Sequence, residues 1–192
     1  MKRAFLLLCM VLFFRSGADA CVGKTLVIGA VNTPQDRILA EMLSVMITER
    51  TGTTITVRYF SGAQELYAAV EKSEIGIVIE NTERGMELVG RPKDANGERA
   101  YVVMKEEFRK RYNLVCLQPV GSVSYAGGTG RNVFSPAITV DAMNNFPALP
   151  RVINKLAGVM NDEGYGNMIR SVESGEKPGK AAREFLKSKK YI

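Results

Sequence analysis

Histidine and tryptophan are absent from the 192 residues, and this limits the chemistry open to the chain. Without histidine, a Ser-His-Asp triad, a Cys-His pair and the commonest metal ligand are excluded. Without tryptophan, an aromatic cage for a cation has to be built from tyrosine and phenylalanine. Glu80 and Glu83 are close enough to form a carboxylate pair, but acids at a helix start explain them more simply. The sequence therefore predicts no enzyme, no catalytic residue, no bound metal and no cofactor.

Three further patterns each have a functional and a structural interpretation. Residues 127–130 (GGTG) have the look of a phosphate-binding loop, but no Gly-Lys-Ser/Thr follows, and a tight hairpin is favoured. The methionines suggest soft-metal binding, yet most lie at the spacing of a helical core, which is favoured. Basic residues in 105–111 alternate with glutamate, and the net charge of +6 is spread along the chain. This distribution predicts a solvated helix face rather than a nucleic-acid-binding surface.

The first twenty residues have the features of a secretory signal peptide. Lys2 and Arg3 precede an apolar run over 4–14, which is too short to span a bilayer stably. Ala18 and Ala20 supply small residues before a cut at Cys21. A cysteine directly after the cut suggests lipidation, but Ala-Asp-Ala departs from the usual lipoprotein signal, and simple cleavage is favoured. The sequence therefore predicts an exported, periplasmic protein, with membrane anchoring through Cys21 as the alternative.

Two cysteines remain after that cut, Cys21 and Cys116. An oxidising compartment allows a disulfide between them. The alternative is a buried Cys116 within the apolar stretch 113–117. This second interpretation is favoured, because nothing in the sequence brings the two Cα atoms within ~7 Å of one another.

The apolar pattern of the first third of the chain predicts strands that alternate with helices. Short β-rich runs are separated by segments with apolar residues at three- and four-residue spacing. A β-α-β-α-β order is typical of a parallel sheet covered by helices, and its ligands bind at the carboxyl ends of the strands. The loops at those ends are 31–35 and 80–84. The predicted strands are 25–30, 54–60 and 75–79, and the predicted helices are 38–47, ending at Thr51-Gly52, and 62–73.

The remainder of the chain continues the same domain, without internal repeats. A helix over 98–112 leads into a strand over 114–118, and a hairpin turn over 127–132 separates two extended segments. Asp141 is the expected N-cap of a helix that resumes after Pro147. That helix is predicted over 149–160, and two polar-faced segments, 164–172 and 178–189, finish the chain.

Several segments of the chain resemble the glycine betaine/choline (quaternary-amine) substrate-binding proteins of ABC importers. The resemblance implies an α/β fold, a single lobe of the type II periplasmic-binding-protein fold, with a mainly parallel sheet flanked by helices. It covers most of 21–192, and the segments occur in the family's order. They are 28–42 (IGAVNTPQDRILAEM), 73–82 (SEIGIVIENT), 112–119, 124–126, 145–158 (NFPALPRVINKLAG) and 181–186.

The chain also departs from that family. The family has a complete second α/β lobe between the strand near Tyr125 and the strand near Ala137, and here the turn at 127–132 replaces it. The family tends to place aromatic residues on the loop after the third strand, where Val78 and Asn81 stand in this sequence. The chain is therefore predicted to be one half of a two-lobed clamp. Carried over by resemblance, the ligand-binding residues are Asn32, Thr33, Gln35, Glu80, Asn81 and Tyr125.

Two functions follow as hypotheses. In the first, the chain is an exported solute-binding protein, or its single-lobe derivative, which binds a quaternary amine or another small solute weakly and docks on an ABC permease. In the second, it is an interaction protein whose exposed former cleft face contacts another protein or a second copy of the chain. The two differ in whether Asn32, Gln35, Glu80 and Tyr125 converge on a ligand-sized pocket or lie on a flat patch.

Overall fold

A computed structural model describes residues 25–125 and 130–192 of the chain. The signal peptide predicted for 1–20, Cys21 and most of the glycine-rich turn lie outside the described residues. Within them, no helix combines the length and the apolar character that crossing a membrane requires. The first third has the predicted β-α-β-α-β order. It comprises β1 (Leu26–Val31), α1 (Pro34–Thr51), β2 (Ile55–Phe60), α2 (Ala63–Glu71) and β3 (Ile77–Asn81).

The second part of the chain adds three strands and six helices in the described ranges. A short helix follows β3 at once, although the sequence predicted a loop over 80–84. The elements are α3 (Thr82–Leu88), α4 (Gly97–Tyr112), β4 (Leu114–Cys116), β5 (Gly121–Ser124), β6 (Arg131–Thr139), α5 (Val140–Asn145), α6 (Leu149–Ile153), α7 (Glu163–Glu173) and α8 (Pro178–Ser188).

All six described strands belong to one sheet with the order β2-β1-β3-β6-β4, and β5 pairs with β6. β1 is parallel to β2 and to β3, whereas β6 is antiparallel to β3, β4 and β5. Among the described strands, β6 alone therefore runs against the other five. The mainly parallel sheet flanked by helices is confirmed, and β5 and β6 form the predicted hairpin. β6 already begins at Arg131, earlier than the predicted end of the turn at residue 132.

Helix α1 shows how local sequence sets an element. Thr33 is its N-cap, with Oγ1 accepting a hydrogen bond from the Asp36 N–H at 3.2 Å, and Pro34 occupies the first turn. The helix ends at Gly52, as its sequence predicts. Its apolar residues, including Met42 and Met46, are buried in the core beneath the sheet.

Two hydrophobic clusters cover the two faces of the sheet. Ile77 and Ile79 pack with α1 and the C-terminal helices, while Val78 packs with α2 and α4 on the other face. β3 is buried along its whole length, as expected for a strand covered on both faces. The methionines follow the core interpretation, because Met42, Met46, Met86, Met104 and Met168 are buried and Met143 and Met160 pack against the core.

Two predicted features near the C-terminus are wrong. The helix predicted for 149–160 ends at Ile153 and is followed by two short 3₁₀ turns, which are separated where Ala157 leaves the helical conformation. The N-cap predicted at Asp141 is instead Thr139, whose Oγ1 accepts a hydrogen bond from the Ala142 N–H at 3.1 Å. That helix, α5, begins before Pro147 rather than after it.

Candidate functional site

The candidate site residues lie along one edge of the sheet. β1, β3 and β5 point in the same direction, so the segments after their last residues emerge at a common edge. Asn32 follows β1, Asn81 ends β3 and Tyr125 follows β5. β3 and β6 lie between β1 and β5, so Asn32 and Tyr125 are separated by three strand spacings, about 14 Å, across the sheet, and the register places Tyr125 four residues further along it. The three segments share this edge, but Asn32 and Tyr125 are too far apart to contact one small ligand together.

The loop after β1 is held by backbone and side-chain hydrogen bonds. Asn32 is exposed, and its N–H donates to the Phe60 carbonyl at 2.8 Å. Thr33 is committed to capping α1. Gln35 is half-buried, and its Nε2 donates to the hydroxyl of Tyr165 on α7. Burial raises the pKa of Tyr165 above the usual tyrosine value, so its hydroxyl stays protonated and neutral at physiological pH.

Glu80 is fully buried, so its carboxylate is committed to the protein interior. It accepts hydrogen bonds from the Tyr67 hydroxyl at 2.8 Å, from the Asn81 N–H at 2.8 Å and from Arg84 Nε at 2.5 Å. Burial raises the pKa of Glu80, while the Arg84 charge and the two other donors act in the opposite direction. This carboxylate anchors Arg84.

Arg84, which is not among the six predicted site residues, links the loop after β1 to the segment after β3. Its Nη1 binds Asp36 Oδ2 at 2.7 Å, and its Nη2 donates to the Ile79 carbonyl at 2.9 Å. Asp36 is fully buried, and its Oδ1 has no hydrogen-bond partner within the described ranges. Two buried carboxylates thus share one guanidinium. The i,i+4 spacing of Glu80 and Arg84 could have indicated their ion pair from the sequence. No spacing rule indicates the ion pair between Asp36 and Arg84.

A second polar cluster ties the helix after β3 to the start of β6. Asn81 caps α3, with its Oδ1 accepting from the Arg84 N–H at 3.0 Å. Thr82 Oγ1 donates to Asn132 Oδ1 at 3.2 Å and accepts from the Val133 N–H at 3.0 Å. Asn132 and Asn81 are both 7% exposed. These groups therefore fix the edge of the sheet rather than present donors to solvent.

Tyr125 already has a cation on its ring. Lys93 Nζ lies 3.7 Å from the ring centroid and also forms an ion pair with Glu83. Glu83 is in the first turn of α3, as the helix-start interpretation of this acid predicted. Glu80 differs, because it belongs to β3 and pairs with Arg84. The Tyr125 backbone N–H donates to the Gly130 carbonyl at 3.2 Å, which closes the hairpin.

Three of the six predicted residues border different clefts in the described part of the chain. Asn32 borders a cleft of about 510 Å³ beside the α7–α8 connection. Thr33 borders one of about 740 Å³ beside α2 and α3. Gln35 borders one of about 650 Å³ between β5 and α7. Glu80 and Asn81 are buried. The carboxyl edge of the sheet is therefore an open edge, that is, an exposed surface with separate clefts. A surface of this kind needs a second surface to enclose a ligand.

Cys116 is buried at 4% exposure, as the structural interpretation of this cysteine predicted. Burial raises the pKa of its thiol to about 12, and the nearby Glu80 adds to the effect. The thiol is therefore protonated at neutral pH and a poor nucleophile. Cys21, its alternative disulfide partner, lies outside the described residues.

Comparison with solved structures identifies the architecture. A glycine betaine/carnitine/choline ABC transporter structure superposes with a TM-score of 0.74 at 14% identity, covering 88% of this chain and 98% of the other. Apo YehZ of Escherichia coli gives a TM-score of 0.69 at 12% identity, with 88% and 100% covered. Lactococcal OpuAC bound to glycine betaine gives 0.52 at 8% identity, with 87% and 96% covered. The chain has the periplasmic-binding-protein fold.

No protein family model and no curated protein matches the sequence. The similarity to the solved structures, at identities of 14% and below, concerns the fold. It confirms the fold class that the resemblance implied. Two of the solved neighbours are a choline-binding protein in complex with choline and OpuAC in complex with glycine betaine.

Proposed function

We propose that the chain is a single-lobed, exported solute-binding protein of a quaternary-amine ABC import system. The observation that carries this proposal is the open edge of a periplasmic-binding-protein fold, with the loops after β1, β3 and β5 at one edge of the sheet. Four residues, 126–129, separate Tyr125 from Gly130. That length accommodates a turn between β5 and β6, where the resembling family has a second lobe.

A single lobe of this shape binds a small cation weakly. Enclosure of a quaternary ammonium needs aromatic faces on several sides. Val78 is buried in the core, Asn81 caps a helix, and Tyr125 already contacts Lys93. We therefore expect no binding of glycine betaine or choline by the monomer tighter than about 100 μM, equivalent to about −5.5 kcal/mol. Docking of a permease or of another lobe on the open edge would supply the missing side.

Titration calorimetry on the purified exported protein tests this proposal. Glycine betaine, choline, carnitine and amino acids are the ligands, and Tyr125→Ala is the site variant. Tyr59→Ala is the matched control, since Tyr59 is partly exposed on β2, at the far end of the sheet. Weak binding that Tyr125→Ala removes and Tyr59→Ala retains supports the proposal. A micromolar Kd for the monomer would show that one lobe suffices, and no binding to any of these solutes would remove the solute-binding role.

Export is a separate part of the proposal. Lys2, Arg3 and the apolar run that follows support cleavage before Cys21. Intact-mass analysis of the exported protein should give a chain that begins at Cys21. A chain that begins at Met1 would contradict cleavage, and a diacylglyceryl mass increment on Cys21 would show that the protein is anchored as a lipoprotein.

An interaction role is the second candidate, and the exposed edge favours it. Val123 is 39% exposed on β5, beside the cleft that Gln35 borders. If this edge binds a second copy of the chain, light scattering after size exclusion should give a dimer. Val123→Glu should dissociate that dimer, and Val102→Glu, a substitution at another exposed valine, on α4, should not. A monomer at all concentrations would reject self-association.

A further inference from the structure

Lys93 lies in the connector between α3 and α4, and its ammonium group lies between an aromatic ring and a carboxylate. Nζ is 3.7 Å from the centroid of Tyr125 and is bonded to Glu83 Oε1. The negative face of the ring and the carboxylate both favour a positive charge at this point. The structure thus shows an ammonium bound at the same aromatic residue that the resemblance assigns to the solute.

The two groups around this ammonium are held by other parts of the edge. The Glu83 N–H donates to Asn132 Oδ1 at 3.0 Å, which fixes the first turn of α3 against β6. The ring of Tyr125 packs on Gly130, where an added Cβ would lie 2.8 Å from the ring and where φ is +152°. The cation site is therefore a product of the fold rather than of Lys93 alone.

The connector that carries Lys93 is itself attached to the hairpin. The Arg131 N–H donates to the Ala95 carbonyl at 3.2 Å, and Asn96 caps α4. These contacts place the lysine stem beside Tyr125 without committing its terminal group. The side chain of Lys93 is 51% exposed and that of Glu83 is 47% exposed, so the ammonium can leave for water at small cost.

We propose that Glu83 and Tyr125 form an ammonium site that Lys93 fills in cis, so that a free cation reaches Tyr125 only by displacing Lys93. The Glu83 carboxylate accepts a hydrogen bond from an N–H group, and a quaternary ammonium has no N–H group. The site therefore prefers a primary alkylammonium, such as the lysine side chain itself, over a quaternary one. The inference goes beyond the proposed function, and it rests on that function only in treating Tyr125 as part of the solute site.

The strength with which Lys93 occupies the ammonium site follows from the exposure of Lys93 and Glu83. A cation–π contact at an exposed site and a surface ion pair each contribute weakly, and together they reduce the affinity for a competing cation by roughly three- to thirty-fold. Removal of the lysine charge should therefore raise the affinity for a competing cation by the same factor. The factor should be similar for a primary and a quaternary ammonium, because each must displace Lys93. The primary ammonium should nevertheless bind more tightly, because only it can replace the hydrogen bond to Glu83.

The first experiment tests the contact without any ligand. A proton over an aromatic face resonates upfield, so the ε-methylene of Lys93 should be shifted upfield in the NMR spectrum of the protein. Tyr125→Leu should return that resonance to the position of the other lysines. A Lys93 resonance that is unshifted in the wild-type chain would overturn the proposal.

The second experiment titrates n-butylammonium and tetramethylammonium chloride at constant ionic strength, with the ring resonances of Tyr125 as the readout. Lys93→Met should bind n-butylammonium roughly three- to thirty-fold more tightly than the wild-type chain. Lys110→Met removes an exposed positive charge on α4 and should leave the wild-type titration unchanged. Adding Glu83→Met to Lys93→Met removes the acceptor oxygens and should remove the preference for the primary ammonium.

Equal binding by Lys93→Met and the wild-type chain, or a preference for tetramethylammonium in Lys93→Met, would overturn the proposal. These outcomes are distinct from failure of the proposed function. If calorimetry finds no betaine-type solute for the chain, the upfield shift of Lys93 and the response of Lys93→Met to n-butylammonium still decide whether the capped ammonium site exists.

Discussion

Replacement of Arg84 by methionine should be among the most damaging single changes at the edge of the sheet. The guanidinium contacts Asp36 at 2.7 Å and Glu80 at 2.5 Å, and the side chains of these acids are 1% and 0% exposed. Methionine preserves much of the apolar stem but none of the charge or the donors. Two buried carboxylates would then remain without their cation.

The expected loss follows from that burial. Removal of one partner from a buried ion pair costs about 3–5 kcal/mol, because the remaining charge stays desolvated. A domain of this length loses roughly 2–4 °C per kcal/mol, so the midpoint of thermal unfolding should fall by about 10 °C. Arg91→Met is the matched control. Arg91 pairs with Glu107 at 2.8 Å but is 53% exposed, and its loss should stay below about 1 kcal/mol.

The pH dependence of this loss provides a second test. Burial already raises the pKa of Glu80, and Arg84 opposes that rise. Without Arg84 the pKa of Glu80 in the folded protein rises further above its unfolded value, so the folded variant binds more protons than the unfolded one. Stability from that proton is fully present below the unfolded pKa, near 4.3, and is lost as the pH rises through the folded pKa. The deficit of the variant should therefore shrink as the pH falls from 8 to 5.

Urea unfolding at the two pH values measures both effects. We expect the deficit of Arg84→Met to be smaller at pH 5 by about 1 kcal/mol or more. Adding Glu80→Gln should recover part of the loss at pH 8, because it removes one of the two unpaired charges. A loss below about 1 kcal/mol, or a deficit that grows as the pH falls, would refute the account of a buried, charge-compensated network.

Three further outcomes follow from the packing. Gly85→Ala should destabilise the protein by about 1–2 kcal/mol in urea unfolding, since its Cβ would lie 2.3 Å from the buried Met104 sulfur. The same substitution at Gly166, where the nearest neighbouring atom is 3.6 Å away, should stabilise helix α7 by about 0.5–1 kcal/mol. A loss of stability in Gly166→Ala, or a gain in Gly85→Ala, would contradict this packing. Because burial raises the pKa of Cys116 to about 12, iodoacetamide at pH 8 should label Cys116 only after unfolding, and peptide mass spectrometry of the folded protein would reveal any earlier labelling.

The elements of the first third were predictable because each depends on its own residues. Pro34, the apolar spacing through α1 and Gly52 define that helix locally, and the continuous apolar run of β3 indicated a strand covered on both faces. The prediction of a helix over 149–160 was wrong because the end of this segment depends on tertiary packing. Its apolar spacing continues to Met160, but the chain turns at Ala157 to place Val159 in the core.

The positions of the predicted site residues were only partly accessible from sequence. Glu80, Asn81 and Tyr125 were chosen by resemblance, and they do lie at the carboxyl edge of the sheet. Their partners were not predictable. Arg84 meets Asp36 across 48 positions of sequence, and Thr82 meets Asn132 across 50. No periodicity or spacing rule connects residues so far apart, because their proximity depends on the order of the strands.

From β1 to β3, the sequence by itself determined which segments become strands and helices and which residues enter the core, since backbone preference and apolar pattern are local properties. It also determined the chemistry available, with no histidine and no tryptophan. Only the tertiary structure decided how that chemistry is used. The antiparallel course of β6 brings Asn132 to Thr82 and carries Tyr125 to Lys93. Electrostatic and hydrogen-bond energies depend on distance and burial, and both quantities arise only when strands distant in sequence pair.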